Sequence, residues 1–149
     1  MNNIIPVTVK GVYVIEARYG LTPLILLNDE SDNILPIYVG VSEAMSIYAA
    51  LQKEVAPRPM THDLMISILE QLDTKIDCIL IDDLDDGIYY ARLIIQTNGS
   101  KKELDARPSD CIALALRANA PIKVRKKVLD DAAINKEDLK GIMTIDNYL

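Results

Sequence analysis

Hydrophobic and polar positions alternate in short runs along much of the chain, which is typical of half-buried β-strands. The runs are rich in valine, isoleucine and leucine, and branched aliphatic side chains favour strands. Strands are predicted over 7–10, 12–17, 24–27, 34–39, 75–81, 88–97, 101–106 and 122–124. Asn98 and Gly99 separate two of these runs and predict a two-residue hairpin.

Two further segments have apolar residues spaced three or four positions apart, which predicts amphipathic helices. The first helix begins at Gly40, and the second has Thr61 as its N-cap. The apolar stripe of the first comprises Ala44, Ile47, Tyr48, Leu51 and Val55. The predicted core face of the second comprises Leu64, Met65, Ile68, Leu69 and Leu72. Two shorter helices are predicted over 128–133 and 136–140.

A third helix is predicted to begin at Pro108, because proline lacks a backbone N–H and its φ is preset for the first helical position. Residues 111–116 are apolar almost all round, so this helix should be buried. It should end near Asn119, because Pro121 cannot continue it. Charged and polar side chains crowd its start, and burying charge without a partner is costly. We expect them to pair with one another or with something bound.

The order of predicted elements recurs when the chain is shifted on itself by 67 residues, which places Gly20 on Gly87 and Ser42 on Ser109. The recurrence predicts an α+β fold built from two tandem β-rich repeats, over about residues 7–55 and 75–125. Their mixed or antiparallel sheets would carry helices packed on them, within one domain spanning residues 1–149. Asp105 and Arg107 precede the helix that closes the second repeat, whereas the first repeat has the uncharged Tyr38 and Gly40 at these positions. This difference favours a function in the second repeat.

Composition sets limits on the class of protein. Half of the 149 residues are hydrophobic, which indicates a folded globular chain. The net charge of −6 repels nucleic acid and anionic membranes overall, although a local basic patch remains compatible with it. We expect a cytoplasmic protein, because no leader and no long apolar run are recognisable. Cys78 and Cys111 lie in apolar runs without CxxC spacing, which predicts buried reduced thiols.

Carboxylates near the third helix form one candidate site. If the strand before Pro108 continues, Glu103, Asp105 and Arg107 face the same way. The carboxylates of Glu103 and Asp105, together with Asp110, could hold a hard cation such as Mg²⁺, which prefers oxygen ligands. The alternative is an Arg–Asp pair with helix capping and no ligand.

Two other groups carry candidate chemistry. His62, the only histidine in the sequence, could act as a general base or a metal ligand. The alternative is that His62 and Asp63 are ordinary exposed residues of a helix start.

A basic cluster is the candidate phosphate-contacting surface, and its alternative is a solvated face. It comprises Arg117, Lys123, Arg125, Lys126 and Lys127.

Residues 58–64, Arg-Pro-Met-Thr-His-Asp-Leu, and residues 105–117, Asp-Ala-Arg-Pro-Ser-Asp-Cys-Ile-Ala-Leu-Ala-Leu-Arg, resemble two motifs of the bifunctional nuclease family. That family comprises prokaryotic and plant proteins described as having both DNase and RNase activity. The motifs come in the family's order and spacing, and the resemblance covers roughly residues 5–135. Cys111 is a conservative departure, because the family usually has alanine there.

The resemblance implies cleavage of DNA and RNA phosphodiester bonds, assisted by a divalent metal. The catalytic candidates that it implies are His62, Asp63, Asp105, Arg107, Ser109 and Asp110. In the leading hypothesis, Asp105 and Asp110 bind Mg²⁺ or Mn²⁺. His62 takes the proton of the attacking water, and Arg107 stabilises charge on the phosphate.

Substrate contacts are assigned to Arg58, Arg117, Lys126 and Lys127. A homo-oligomer is expected, with a dimer favoured. The alternative function is a non-catalytic oligomeric binding or regulatory module, in which the junction from Asp105 to Asp110 is an internal ion-pair network. The nuclease hypothesis requires the two motifs to meet in space.

Overall fold

The computed structural model describes residues 3–18 and 20–148, and its fold is α+β, as the sequence predicts. The strands are β1 (Ile4–Ala17), β2 (Gly20–Asn28), β3 (Asn33–Tyr38), β4 (Lys75–Asp85), β5 (Ile88–Thr97), β6 (Ser100–Ala106), β7 (Ile122–Arg125), β8 (Ile134–Asn135) and β9 (Ile142–Thr144). The α-helices are α1 (Val41–Leu51), α2 (Thr61–Gln71), α3 (Pro108–Ala118) and α4 (Lys126–Ala132). Short 3₁₀ turns cover Lys136–Asp138 and Ile145–Tyr148.

The strands form one mixed sheet in the order β6-β5-β4-β7-β1-β2-β3-β8, with β9 paired to β1. Strands β1, β2 and β3 form one antiparallel meander, and β4, β5 and β6 form another. The short strand β7 joins them, because it pairs parallel to β4 and antiparallel to the start of β1. Asn98 and Gly99 have φ values of 50° and 76°, as a type I′ hairpin turn requires, so the predicted hairpin between β5 and β6 is confirmed.

Helix α3 lies at the centre of the packing. Its residues from Cys111 to Ala115 are buried and belong to the main hydrophobic core, so the predicted buried helix is confirmed. Pro108 occupies the first turn, as predicted, and Asn119 ends the helix in the left-handed conformation. Helices α1 and α2 both pack against α3. Cys78 and Cys111 are buried and unpaired, as predicted.

The order strand, strand, strand, helix occurs twice, and helices α1 and α3 are separated by the predicted 67-residue offset at both ends. Duplication as such stays a prediction, which superposition of residues 8–51 on residues 75–118 would test.

Helix α2 departs from the sequence prediction. Its N-cap is Met60 rather than Thr61, because the Asp63 carboxylate accepts a hydrogen bond from the Met60 N–H at 3.0 Å. The predicted core face is wrong, because most of its side chains are exposed: Leu64, Met65, Ile68 and Leu72. The buried residue of α2 is His62. Helix α2 therefore turns His62, Asp63 and the half-buried Ile66 toward the protein body, and most of its other apolar side chains toward solvent.

Two predicted elements have different bounds in the structure. Helix α1 ends at Leu51, so Val55 is not part of its stripe and is 94% exposed. The strand predicted over 75–81 is longer in the structure, because β4 continues through Asp85. None of the described helices is long and apolar enough to cross a membrane.

Candidate functional site

The two motifs that resemble a family pattern meet at one open cleft of about 1100 Å³. Residues of α1, α2, β5, β6 and the start of α3 line it. The first motif contributes Met60, Thr61 and His62, and the second contributes Asp105 to Arg107 and Asp110. The two motifs therefore meet in space, as the nuclease hypothesis requires.

His62 is held by a hydrogen bond at each ring nitrogen. Its Nδ1 lies 2.6 Å from Ser46 Oγ, and its Nε2 lies 2.9 Å from Asp110 Oδ1. The residue is 8% exposed, so the expectation of a solvated histidine is wrong. The physical reason is that α1 and α3 supply both polar partners, which offset the cost of burying the ring.

Asp110 lies between His62 and Arg107. Arg107 donates from Nε to Asp110 Oδ2 at 2.9 Å and from Nη2 to Asp110 Oδ1 at 3.1 Å, and its Nη1 lies 3.6 Å from Glu43 Oε2. Burial raises the pKa of Asp110, but the hydrogen bonds from Arg107 and His62 outweigh it and leave that pKa below the usual range. Asp110 is therefore a carboxylate at neutral pH and accepts hydrogen bonds from both neighbours.

Arg107 combines an anchored position with an open face. Its side chain is 64% exposed at the cleft although two of its nitrogens bond Asp110. A guanidinium has five N–H donors, so the remaining ones can bind a phosphate.

A second ion pair lies behind the cleft and joins the three helices. Arg117 Nε donates to Asp63 Oδ1 at 2.8 Å, and its other nitrogens donate to the carbonyl oxygens of Ala113 and Ser46 at 3.0 and 3.2 Å. The hydrogen bond from Arg117 lowers the pKa of Asp63, with help from the Met60 amide. This pair fixes the start of α2 on α3 and α1, and so positions His62.

Asp105 is exposed at the cleft wall. Within residues 3–18 and 20–148, its carboxylate has no hydrogen bond or ion pair. Asp105 is not the partner of Arg107, which pairs with Asp110 and Glu43 instead. Ser109 is buried in the first turn of α3. Glu103 pairs with Arg92 on the neighbouring strand at 2.8 Å, away from Arg107.

Cys111 follows Asp110 on α3. Burial raises the pKa of its thiol to about 12, and the nearby charges of Asp110 and Asp105 act in the same direction. The thiol therefore stays protonated at neutral pH and is a packing residue rather than a nucleophile.

Most of the predicted basic cluster is paired with acids and lies away from the cleft. Arg125 Nε donates to Asp82 at 2.8 Å, Lys127 lies 3.3 Å from Asp83, and Lys126 lies 2.8 Å from Asp130. Arg117 is 12% exposed and serves the internal pair with Asp63. Arg58 is exposed on the loop before α2.

Arg125 and Lys127 therefore have acidic partners on β4. Phosphate contacts by Arg58, Lys126 and Lys127 stay predictions.

A resident metal does not fit the donors that the described residues provide. No group of three or more His, Cys, Asp or Glu side chains able to hold an ion occurs in the described part of the chain. Asp110, one of the two proposed ligands, already bonds Arg107 through both carboxylate oxygens.

Sequence reasoning missed Ser46 and did not assign Glu43 to the site. Both lie on α1, three positions apart, and residues at this spacing share a helix face. Together with Ser42 they make a polar stripe beside the apolar one. That stripe is the signal that could have pointed to a second wall of the cleft.

Comparison with known proteins agrees with the motif resemblance. Residues 24–137 match the family described as Bifunctional nuclease domain. A Mycobacterium tuberculosis (strain CDC 1551 / Oshkosh) protein, "Uncharacterized protein MT1877", is 40% identical over 113 residues, which cover 75% of this chain and 67% of the relative.

Plant relatives are longer. "Bifunctional nuclease 1" of Oryza sativa subsp. japonica is 30% identical over 105 residues, and "Bifunctional nuclease 2" of Arabidopsis thaliana is 24% identical over 122 residues. The matches cover 68% and 74% of this chain but 32% and 37% of the relatives. The chain is thus similar to about a third of each plant protein.

Proposed function

Because the chain belongs to the bifunctional nuclease family, we propose that it is a nuclease that hydrolyses phosphodiester bonds of DNA and RNA. One observation carries the proposal: His62 is fixed between a hydroxyl and a carboxylate at the wall of an open cleft, beside the exposed Arg107. Phosphoryl transfer needs a base that a carboxylate aligns, and it needs a guanidinium near the phosphate. His62 with Asp110 provides the first, and Arg107 provides the second.

Each residue has a role that its surroundings support. His62 accepts a proton from the attacking group, and Asp110 holds its ring and stabilises the imidazolium that forms. Arg107 contacts the phosphate and offsets charge that develops on its oxygens. Asp63 positions His62 through Arg117, and buried Ser109 supports the start of α3.

The part of the cleft formed by β5 and β6 suits nucleobases. It is apolar and partly aromatic, with Tyr90 44% exposed and Ile88 and Leu104 also exposed. Bases stack on aromatic side chains with little regard to sequence. A phosphate at Arg107 would therefore have its neighbouring bases against this part of the cleft, which supports action on both DNA and RNA.

Metal assistance is a separate proposal. We propose that Mg²⁺ or Mn²⁺ reaches the cleft with the substrate, because Mg²⁺ commonly binds through one or two carboxylates together with substrate phosphates. The roles given above to His62, Asp110 and Arg107 do not pass through a metal.

Asp105→Asn tests whether the exposed Asp105 carboxylate serves the proposed cleavage reaction. We expect the variant to lose DNA and RNA cleavage by at least about tenfold if Asp105 serves the reaction. The denaturant midpoint should change little, because surface substitutions usually cost within about 0.5 kcal/mol. The measurement is cleavage of labelled DNA and RNA by highly purified protein, with and without EDTA.

The matched control is Asp131→Asn, an exposed carboxylate on α4 outside the cleft. It should cleave like the wild type. Equal activity in wild type and both variants, purified identically, would indicate a contaminating nuclease or a dispensable Asp105. Cleavage that survives EDTA would contradict the metal proposal alone.

The alternative function, an oligomeric binding or regulatory module, also has an observation in its favour. The carboxylates of Asp110 and Asp63 both form intramolecular ion pairs with arginines, Arg107 and Arg117. In addition, the apolar face of α2 is exposed beside the cleft. A second copy of the chain would cover this face in an isologous dimer, because the same patch would be buried on both subunits.

The proposed dimer predicts a change of mass. Replacing Leu64 and Ile68 together with glutamate should convert a dimer into a monomer, because two charges would be placed in an apolar interface. The measurement is light scattering after size-exclusion chromatography. Leu21→Glu, at an exposed apolar position on β2, is the control and should not change the mass. A wild-type monomer would contradict the proposal.

A further inference from the structure

Ser46 is placed to give its proton to His62. The Asp110 carboxylate accepts from Nε2, so Nε2 carries the hydrogen of the neutral ring. Nδ1 then offers its lone pair, and the hydroxyl 2.6 Å away is the donor to it. The tautomer thus follows from the chemistry of the two partners.

We propose that Ser46 is the nucleophile of the reaction, an inference that rests on the proposed nuclease function. The order hydroxyl, imidazole, carboxylate is that of nucleophilic serine sites, with the two ring nitrogens exchanged. Such sites are recognised by the roles and geometry of their groups rather than by position in the chain.

Burial of His62 favours the serine over a water as the attacking group. Both ring nitrogens are engaged, and the residue is 8% exposed. A water would have to displace Ser46 or Asp110 to give its proton to the ring. Ser46 lines the same cleft as Arg107, in which a phosphate would bind.

Neighbouring groups hold Ser46 and face its target. Arg117 donates to the Ser46 carbonyl at 3.2 Å and fixes this turn of α1. Arg107 shares Asp110 with His62 and presents its exposed donors to the same cleft. One carboxylate thus aligns both the base and the group that would bind the phosphate.

The reaction balances in two steps. In the first, Ser46 Oγ loses its proton to His62 Nδ1 and forms a bond to phosphorus. The bond from phosphorus to the leaving nucleotide oxygen breaks, and that oxygen, which lies in line on the far side, takes a proton from a water. In the second step the resulting hydroxide attacks phosphorus, the bond to Oγ breaks, and Oγ regains its proton from His62. One phosphodiester bond and one water are consumed.

A fluorophosphonate probe tests the nucleophile independently of cleavage. Treating the whole wild-type chain with the probe should add one phosphonyl group to Ser46, located by mass spectrometry of the digested protein. Ser46→Ala should remove the label, and His62→Gln should slow labelling at least about tenfold. Ser42→Ala, one turn earlier on α1 at the same cleft, should be labelled like the wild type.

Cleavage assays on the same samples separate the two proposals. Ser46→Ala should lose at least about 100-fold in cleavage while it keeps the wild-type circular dichroism spectrum. A wild type that cleaves but does not label at Ser46, or a Ser46→Ala variant that cleaves at the wild-type rate, would overturn the serine as nucleophile and leave the nuclease intact. A wild type that cleaves neither DNA nor RNA would overturn the nuclease, whereas His62-dependent labelling of Ser46 would still support an activated serine.

Discussion

His62→Gln should reduce cleavage of DNA and RNA by about 10²–10⁴-fold, the usual contribution of a positioned general base. Glutamine fills much of the same space and its amide can still donate to Asp110. It cannot take up a proton at neutral pH, so the attacking group would lose its base. The measurement is the initial rate of cleavage at saturating substrate, compared with wild type purified in parallel.

Stability of the His62→Gln variant is the control for this prediction. The variant should stay folded at the assay temperature, with a thermal midpoint well above it. The glutamine amide can still form a hydrogen bond with Ser46 or Asp110. A folded variant that retains activity within about threefold of wild type would remove His62 from the reaction. His62 would then be a buried structural residue, as the module alternative supposes.

Asp63→Ala should destabilise the protein by about 3 kcal/mol, because it leaves the Arg117 guanidinium, 12% exposed, without its carboxylate. It also removes the acceptor for the Met60 amide at the start of α2. Arg117→Met should cost less, about 1–2 kcal/mol. In the Arg117→Met variant the Asp63 carboxylate has lost its partner, but it is 38% exposed and can be hydrated. The measurement is the denaturant midpoint of both variants.

The control pair lies on α4. Lys126 and Asp130 form an exposed ion pair one turn apart, so Asp130→Ala should cost no more than about 0.5 kcal/mol. If Asp63→Ala were as mild as Asp130→Ala, the pair with Arg117 would not be what fixes α2 on the body of the protein. In that case the position of His62 would depend on its own two hydrogen bonds.

Much of the fold follows from short-range patterns in the sequence. Residues 88–97 are a strand because their branched side chains suit a pleated surface, and the Asn98-Gly99 turn follows from the positive φ values that these two residues tolerate. Helix α3 begins at Pro108 because proline fits that position, and its uniformly apolar sequence is buried as expected. Each of these features depends on residues only a few positions apart.

Helix α2 shows where such patterns mislead. Its apolar spacing predicts an amphipathic helix that buries Leu64 and Ile68, and the helix forms over the expected residues. The helix is rotated from the predicted orientation, so that Leu64 and Ile68 are exposed. The reason is that His62 and Asp63 bind partners on α1 and α3. The buried His62 is satisfied by two hydrogen bonds and Asp63 by its ion pair with the half-buried Arg117, so Leu64 and Ile68 are left for solvent or for a partner.

The sequence by itself determined which segments become strands and helices, which helix is buried, and which two motifs carry the family resemblance. Propensity, periodicity and turn chemistry act within a few residues, so they can be read along the chain. Only the tertiary structure decided that Ser46, His62 and Asp110 form one hydrogen-bonded row, and that Arg125 and Lys127 pair with Asp82 and Asp83. Satisfaction of a buried polar group depends on which distant side chains the fold brings within about 3 Å, and no local pattern encodes that distance.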